Sequence, residues 1–345
     1  MPTISVILPV FNAAPFVSAS VGSILSQTVR DLELIVIDDG SSDASHDEVL
    51  RTIGTDPRVT VVSRENRGLV ASLNEGIDRA QSPWIARMDA DDVALPTRLE
   101  CQIAHLKQAR ASFCGTWAKS MGAGRSRILR HPASDAAIKT ELLFGSCFIH
   151  PTVTMASSAL RSLRYRSEMT YCEDYDLWER AASAGHTMTN VSEVLLRYRL
   201  HPRQESKRHQ AQQGELARTV SRRAWTSFLS LHGEDVGLAN DVAAVRAPGL
   251  SVHDLDRIDR TFRLLLSSTC DEARSVALDH IRRLYFRLAG RHRCVPQRWA
   301  ALMAEFGGRS SKGADWAMTL VSALRLHPEQ PVFQRAKHWY SSWLR

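Results

Sequence analysis

Short apolar runs alternate with helix-like patterns over the first hundred residues. Near-continuous apolar runs are typical of strands that are buried on both faces of a sheet. Four such runs are present: Ile4–Pro9, Leu34–Ile37, Val59–Val62 and Trp84–Met88. Apolar residues at helical spacing occur between them, at Val17, Val21, Ile24 and Leu25 and again at Leu69, Leu73, Ile77 and Ala80. This order predicts an α/β fold with a mainly parallel sheet and helices on both faces.

Polar residues follow three of these strands at the point where each strand ends. The segments are 9–12 (Pro-Val-Phe-Asn), 38–41 (Asp-Asp-Gly-Ser) and 89–92 (Asp-Ala-Asp-Asp). Because ligands of parallel α/β sheets bind at the carboxyl ends of the strands, we expect these segments to surround one site.

The pattern is mixed from about residue 113 to residue 200. Cys147–Met155 and Val194–Leu200 are predicted strands, and Glu173–Ala184 is a predicted helix. The stretch Leu142–Leu160 carries no charged residue and is 19 residues long, the length of a membrane span. It also contains a glycine, a histidine, a proline and several hydroxyl side chains, so we interpret it as a buried strand with flanking turns.

Charge divides the chain into two parts. From His201 onward there are 23 basic and 14 acidic residues, whereas the preceding part has 21 basic and 23 acidic residues. Strand signals also fade beyond about residue 204. We therefore expect a domain at 1–205, divided into halves at 1–95 and 96–205, and a basic α-helical region at 206–345.

Composition and cysteine spacing narrow the protein class. Hydrophobic residues make up 44% of the chain and charged residues 23%, as in soluble globular proteins. The six cysteines form no CxxC pair, which argues against a zinc ribbon or a disulfide framework. No secretory signal is recognisable, so we expect a cytoplasmic protein.

Asp89 and Asp91 are the first candidate site residues. Two carboxylates at the end of a buried strand repel each other, and a bound divalent cation removes that cost. Hard oxygen ligands favour Mg²⁺ or Mn²⁺, which often bridge a protein carboxylate to a diphosphate. A solvated acidic turn is the equally open alternative.

Two further acidic segments are candidates. Asp38 and Asp39 end a strand before Gly-Ser-Ser, where they either cap the next helix or contact a base or ribose. Asp174 lies at a predicted helix start, which the helix dipole favours in any protein. Alternatively, it is a general base that takes a proton from an attacking hydroxyl.

Several segments together resemble family 2 glycosyltransferases. The resemblance covers about residues 3–206 and depends on the order and spacing of motifs that are individually weak. The matching segments are 5–12 (SVILPVFN), 23–28 (SILSQT), 33–43 (ELIVIDDGSSD), 65–68 (ENRG), 74–77 (NEGI), 85–92 (IARMDADD), 95–99, 173–178 (EDYDLW) and 198–201 (YRLH).

The resemblance implies a GT-A fold and an inverting transfer from a nucleotide sugar, expected to be a UDP-sugar. Residues that match the nucleotide motifs are Pro9, Phe11, Asn12, Asp38, Asp39, Arg67 and Asp89. The metal, Mg²⁺ or Mn²⁺, is expected at Asp91 with Asp89 and His201. Asp174 matches the catalytic base. For His201, a turn residue before Pro202 is the open alternative.

Other protein classes fit the sequence less well. No GxxxxGK[ST] or GxGxxG follows the first strand, which counts against kinases and dehydrogenases. A sugar-nucleotide pyrophosphorylase would need a glycine-rich loop where this chain has residues 10–13 (Val-Phe-Asn-Ala). A catalytically inactive nucleotide-sugar or glycan-binding protein is the main alternative. No nucleic-acid-binding motif is recognisable in the basic part.

An amphipathic stripe is predicted at the C-terminal end. Its apolar residues at helical spacing are Val332, Phe333, Ala336, Trp339, Tyr340, Trp343 and Leu344. Such a helix either lies in an anionic membrane interface, where it could reach a glycan or lipid-linked acceptor, or packs on the protein or on a second copy of the chain.

Overall fold

The computed structural model describes residues 1–122, 125–201, 209–244, 251–307, 312–326 and 330–333. The chain forms two compact units, Met1–Val220 and Ser221–Arg345. The boundary between them lies inside helix α8 (Gln210–Leu231), which begins after the domain boundary predicted at residue 205.

The first unit contains the sheet. Its strands are β1 Ile4–Val10, β2 Leu32–Asp38, β3 Val59–Ser63, β4 Trp84–Arg87, β5 Val93–Ala94, β6 Phe113–Gly122, β7 Ile128–Leu129, β8 Thr154–Ala156 and β9 Met188–Leu200. Its helices are α1 Val17–Leu25, α2 Ser45–Ile53, α3 Leu69–Arg79, α4 Arg98–Ala109, α5 Asp135–Leu142, α6 Ser157–Leu163 and α7 Glu173–Ser183, followed by the first part of α8. 3₁₀ turns are present at His150–Thr152 and Ser167–Met169.

The strand order is β3-β2-β1-β4-β8-β6-β9-β5, with β7 paired to β6. Strands β1 to β4 are parallel to their neighbours in this group, whereas β8 is antiparallel to both β4 and β6. The predicted fold class, a mainly parallel but mixed sheet flanked by helices, is therefore confirmed.

Alternation along the strands places a separate apolar core on each face of the sheet. Ile7 and Ile85 lie in a core with residues of α3 and α7, including Trp178. Val6 and Ala86, each one position away from these, lie in the opposite core with residues of α1 and α4. This period of two is the expected pattern for strands covered on both faces.

The prediction for Cys147–Met155 is only partly right. The chain forms a 3₁₀ turn at His150–Thr152 and becomes a strand only at Thr154–Ala156. Pro151 lies inside that turn, where its missing N–H costs no ladder hydrogen bond. A buried turn and a buried strand are both apolar, so the composition of the run could not separate them.

The second unit is helical over the residues that are described. It contains the end of α8 and the helices α9 Leu238–Ala244, α10 Val252–Ser268, α11 Asp271–Ala289, α12 Val295–Phe306 and α13 Lys312–Ala323. Most of the C-terminal stripe, from Ala336 onward, lies outside the described residues. Among the helices that the structure describes, none has both the length and the apolar character needed to cross a bilayer.

Gly76 is required for close packing of α3 on β1. A Cβ atom built at Gly76 would lie 2.4 Å from Cγ2 of Ile7, a buried side chain in the middle of the sheet. We expect Gly76→Ala to lower the free energy of unfolding by about 1–3 kcal/mol through overpacking. Urea unfolding followed by circular dichroism measures this change.

Gly22 of α1 provides the matched control, because no atom lies within 4 Å of a Cβ built there. We expect Gly22→Ala to stabilise the protein by about 0.5–1 kcal/mol, the usual gain in a helix interior. Equal effects of the two substitutions would contradict the close approach at Gly76.

Candidate active site

The loop after β1 is tied to the loop after β2 by Asn12. Its backbone N–H donates to Ser41 Oγ at 3.1 Å, and its Oδ1 accepts from the Ser42 N–H at 2.9 Å. Asn12 has a φ of 49°, a left-handed conformation that asparagine tolerates better than most residues. Pro9 is buried in β1, whereas Phe11 is 51% exposed and offers an aromatic face beside this loop.

Asp38 organises the loop that follows β2. Its Oδ1 accepts from the Ser41 N–H at 3.1 Å, and its Oδ2 lies 3.3 Å from His46 Nδ1 and from the Ser63 hydroxyl. The side chain is almost fully buried. Both carboxylate oxygens of Asp38 therefore contact groups of the protein, and the side chain holds the loop in its conformation.

Asp39 fastens the start of α3 to the same strand end. Its carboxylate accepts from the backbone N–H groups of Arg67 and Gly68, each at 2.8 Å, and forms an ion pair with Arg64. Arg67 thus contributes through its main chain, and its side chain is exposed. Of the predicted nucleotide residues on this side, Phe11, Asn12 and Arg67 are exposed.

Gly40, between these carboxylates and the serines, has a φ of 74°. A Cβ built there would lie 2.8 Å from the Asn66 backbone nitrogen, so the turn also needs the missing side chain.

Asp89, Asp91 and Asp92 come together directly after β4. One carboxylate oxygen from each lies within 4.8 Å of the others. Asp91 Oδ2 is 2.8 Å from Nε2 of His201, which follows the end of β9. The predicted partners Asp89, Asp91 and His201 are therefore brought together.

Asp92 is a member of this acidic group that the sequence prediction did not assign. Its Oδ1 accepts from the Arg199 N–H at 2.7 Å, whereas its buried Oδ2 has no hydrogen-bond partner among the described residues. Burial, together with the neighbouring Asp89 and Asp91 charges, raises the pKa of Asp92 well above its usual value.

This donor set fits a hard divalent cation. Mg²⁺ and Mn²⁺ prefer carboxylate oxygens, which three aspartates supply here. The unpartnered Asp92 oxygen and the raised pKa of Asp92 both indicate negative charge that protein donors do not compensate. A cation at this group would relieve that repulsion.

Side chains of α1, and of Gln27 just after it, hold the acidic loop and the residues that follow it in place. The Ser20 hydroxyl donates to the Asp89 carbonyl at 2.6 Å, and Ser23 Oγ accepts from the Ala94 N–H at 3.1 Å. Gln27 donates to the Leu95 carbonyl and accepts from the Leu99 N–H. These contacts give the 23–28 segment a structural function.

Phe16 lies against His201 and Arg199 at the edge of the acidic group. The ring centroids of Phe16 and His201 are 5.2 Å apart, and the Arg199 guanidinium lies 4.7 Å from the Phe16 centroid. Arg199 also donates to the Asp91 carbonyl at 2.7 Å. The imidazole of His201 is thereby oriented towards Asp91.

Asp174 lies in the first turn of α7 and is partly exposed. The Ser146 hydroxyl donates to its Oδ2 at 3.2 Å. Burial raises the pKa of Asp174, and hydrogen bonds from the helix start and from Ser146 limit that rise. A carboxylate with a raised pKa is a stronger base, as proton abstraction requires.

Glu173 lies directly before Asp174, at the start of α7, and its side chain is buried. It is 7% exposed, and its Oε2 is buried without a hydrogen-bond partner. Burial and the charge of Asp174 raise the pKa of Glu173 to about 7. Its position at the helix start, directly before Asp174, was the only sequence signal for this behaviour.

The family model described as "Glycosyl transferase family 2" matches residues 5–167 of this chain. The O-antigen biosynthesis glycosyltransferase WbnJ of Escherichia coli is 33% identical over 236 residues, which are 66% of this chain and 92% of that protein. An uncharacterized glycosyltransferase of Haemophilus influenzae is 29% identical over 281 residues, 77% of this chain and 84% of that protein. The amylovoran biosynthesis glycosyltransferase AmsE of Erwinia amylovora is 31% identical over 180 residues, 51% of this chain and 68% of that protein.

A solved structure has a similar fold. The crystal structure of S. aureus TarS in complex with UDP-GlcNAc matches with a TM-score of 0.55 at 13% identity, covering 98% of this chain and 92% of that one. At this identity the likeness concerns the fold alone. It agrees with the GT-A fold expected from the sequence.

Proposed function

The chain belongs to glycosyl transferase family 2, and on that premise we propose that it is an inverting transferase that moves a sugar from a nucleoside-diphosphate sugar to a hydroxyl acceptor. One observation carries the proposal. Three carboxylates lie together directly after β4, and His201, which follows β9, contacts one of them at the strand end where a diphosphate is expected to bind.

The donor binds along the loops that follow β1, β2 and β4. Phe11 stacks on the base, and the loop that Asn12, Asp38 and Asp39 fasten together forms the floor beneath the base and ribose. Arg67, exposed at the start of α3, is available to the nucleotide. Asp91, Asp89 and His201 are the residues that would hold Mg²⁺ or Mn²⁺, which when bound supplies positive charge against the departing diphosphate.

Asp174 acts on the acceptor side. The acceptor oxygen forms a bond to the anomeric carbon while the bond from that carbon to the diphosphate oxygen breaks. The proton of the acceptor hydroxyl goes to Asp174, and the electron pair of the broken bond leaves with the nucleoside diphosphate. A single displacement inverts the anomeric configuration and needs one protein base on the acceptor side.

Relatives support the choice of substrates. TarS was crystallised with UDP-GlcNAc, and the names of WbnJ and AmsE refer to O-antigen and amylovoran biosynthesis. We therefore propose a UDP-sugar as the donor and a glycan or lipid-linked acceptor in the synthesis of a surface polysaccharide.

A screen of nucleotide sugars tests the proposal. The purified chain is incubated with UDP-, GDP- and dTDP-sugars, with Mn²⁺, Mg²⁺ or a chelator, and with glycan or lipid-linked acceptors. We expect metal-dependent release of nucleoside diphosphate from a UDP-sugar that increases when the correct acceptor is added.

The same screen addresses the alternative of an inactive binding protein. Tight binding of a nucleotide sugar without release of diphosphate, with every acceptor offered, would favour that alternative. Failure to bind any nucleotide in the presence of metal would contradict both.

A further inference from the structure

An exposed row of side chains crosses strands β9, β6 and β7. The register places Lys119 of β6 beside Arg197 of β9 on one side and beside Ile128 of β7 on the other, and all three are exposed. The next row, which contains Ala118, packs in the core with residues of α1 and α4. Because successive residues of a strand alternate between the faces of a sheet, the exposed row lies on the opposite face.

The row lies on the face of the sheet that carries the candidate base. Phe113, six positions before Lys119 in β6, belongs to the core that includes residues of α7. Asp174 is in the first turn of α7. An even spacing along the strand keeps Lys119 on the same face as Phe113.

The row also lies near the edge of the sheet where the acidic group is found. Strands β4 and β6 are both antiparallel to β8, and β9 is parallel to β6, so the carboxyl ends of β4, β6 and β9 share one edge. Asp89 follows β4 and His201 follows β9 at that edge. Lys119 is three residues, or about 10 Å of extended strand, before the end of β6. The row is therefore within reach of an acceptor bound at this edge.

No ion pair among the described residues neutralises the row. Lys119 and Arg197 stand directly opposite each other, and neither has a hydrogen bond or an ion pair with any residue that the structure describes. Glu193, the nearest acid in β9, lies at the register shift between β6 and β9 and pairs with neither cation. Like charges in cross-strand positions destabilise a sheet, and a bound anion would remove that cost.

Arg130 and Trp117 extend the row. Arg130 comes two positions after Ile128, and Trp117 comes two positions before Lys119, so both share its face. The Arg130 guanidinium lies 5.0 Å from the centroid of the Trp117 ring, and the Trp117 Nε1–H donates to the His131 carbonyl at 3.2 Å. The surface thus combines three cations with an aromatic ring and an exposed apolar side chain.

On the basis of the transferase function proposed above, we propose that these five residues, the basic row, bind a phosphate group of the acceptor. A phosphate offers more acceptor oxygens than a carboxylate, so cations from β6, from β9 and from the segment after β7 can contact one group together, and guanidinium groups match its geometry. Trp117 and Ile128 provide apolar contact for the sugar or chain that the phosphate links. The acceptor is then a phosphate-linked glycan.

The test compares Lys119→Gln, Arg197→Gln and the double variant with the control Lys107→Gln. All the replaced residues are exposed, so we expect every variant to fold. Lys107 is in the last turn of α4, which packs on the other face of the sheet, and it likewise has no ion pair with a described residue. Its replacement lowers the net charge by the same amount as Lys119→Gln.

The first readout is the binding of inorganic pyrophosphate in the presence of a chelator, which prevents binding through a metal at the acidic group. The indole N–H signal of Trp117, assigned with Trp117→Phe, follows the titration by NMR at low salt. Individual exposed ion pairs are weak, so we expect the apparent Kd to rise about threefold in each single variant and about tenfold in the double variant. Lys107→Gln should bind as the wild type does.

The second readout is thermal stability. Because one of two opposed like charges is removed, we expect the Tm of Lys119→Gln without ligand to equal or exceed that of the wild type. Pyrophosphate with a chelator should raise the Tm of the wild type and not that of the double variant. A lysine that only supports the fold would instead show a lower Tm and unchanged pyrophosphate binding.

Kinetics with a phosphate-linked acceptor test the same surface during sugar transfer. We expect the KM for that acceptor to rise about tenfold in the double variant, while the affinity for the nucleotide sugar stays unchanged. An unchanged KM for the acceptor, together with a weaker affinity for the nucleotide sugar, would move the basic row to the donor and overturn the inference.

The outcomes separate this inference from the proposed function. Equal pyrophosphate affinity in the double variant and the wild type, or an equal loss in Lys107→Gln, would overturn the basic row as a phosphate site. Tighter binding of an oligogalacturonate than of pyrophosphate at the Trp117 signal would replace phosphate by carboxylate and overturn the acceptor class. Weakened pyrophosphate binding in a protein that transfers no sugar would support the phosphate site and contradict the transferase.

Discussion

Asp174→Asn is expected to lower kcat by about two to four orders of magnitude while donor affinity stays unchanged. The amide keeps the size of the side chain and can still accept the hydrogen bond from Ser146, which lies 3.2 Å from Asp174 Oδ2. It cannot accept a proton from the acceptor hydroxyl. Steady-state kinetics of diphosphate release, together with calorimetry of donor binding, measures the two effects separately.

The matched control is Asp135→Asn. Asp135 is also in the first turn of a helix, α5, and its Oδ1 accepts from the Met188 N–H, which an asparagine oxygen can also do. We expect a normal kcat for this variant. A kcat near that of the wild type in Asp174→Asn would remove Asp174 from the role of base, and Glu173 would then be the next residue to test.

The sequence predicts the first half of the sheet well, for a physical reason. Strands β1, β2 and β4 are covered on both faces, so their side chains form near-continuous apolar runs that end abruptly at polar loops. The edge strand β3 is only partly buried, but its valines still mark it, and the predicted strand Val59–Val62 differs from it by one residue. Parallel order then places the ends of these strands together without further information.

The strands of the second half of the sheet were harder to predict from the sequence. Strand β6, Phe113–Gly122, was not predicted, although it pairs with β7, β8 and β9. Its sequence contains two glycines and a lysine, which interrupt both the apolar run and the alternation. The strand forms instead because it pairs with β9 along its whole length.

At the candidate site, sequence patterns identify residue types but not their partners. The carboxylates at the strand ends could be named because topology alone brings them together. The ion pair between Arg87 and Asp89 could not, because a buried arginine within a strand gives no periodic signal. The partners of Asp39 could not be predicted either: its oxygens bind Arg64 and two backbone N–H groups.

Asp91→Asn is expected to weaken the metal-dependent binding of UDP by about 100-fold or more. Changes to groups that only support a metal ligand cost about 10–100-fold, and Asp91 is expected to be a direct ligand. The substitution keeps the Arg199 hydrogen bond to the Asp91 carbonyl and the shape of the loop. Calorimetric titration of UDP with Mn²⁺, and again with a chelator, isolates the metal-dependent part.

Without metal, we expect Asp91→Asn to leave the protein at least as stable as the wild type. Replacing Asp91 removes one of the charges that raise the pKa of Asp92, so repulsion within the acidic group falls. We therefore expect the Tm of metal-free Asp91→Asn to equal or exceed that of the wild type, whereas Mn²⁺ should stabilise only the wild type. Asp47→Asn, at an exposed position in the first turn of α2, is the control and should change neither quantity. Unchanged UDP affinity with Mn²⁺ in Asp91→Asn would show that the cation, if one binds, is held elsewhere.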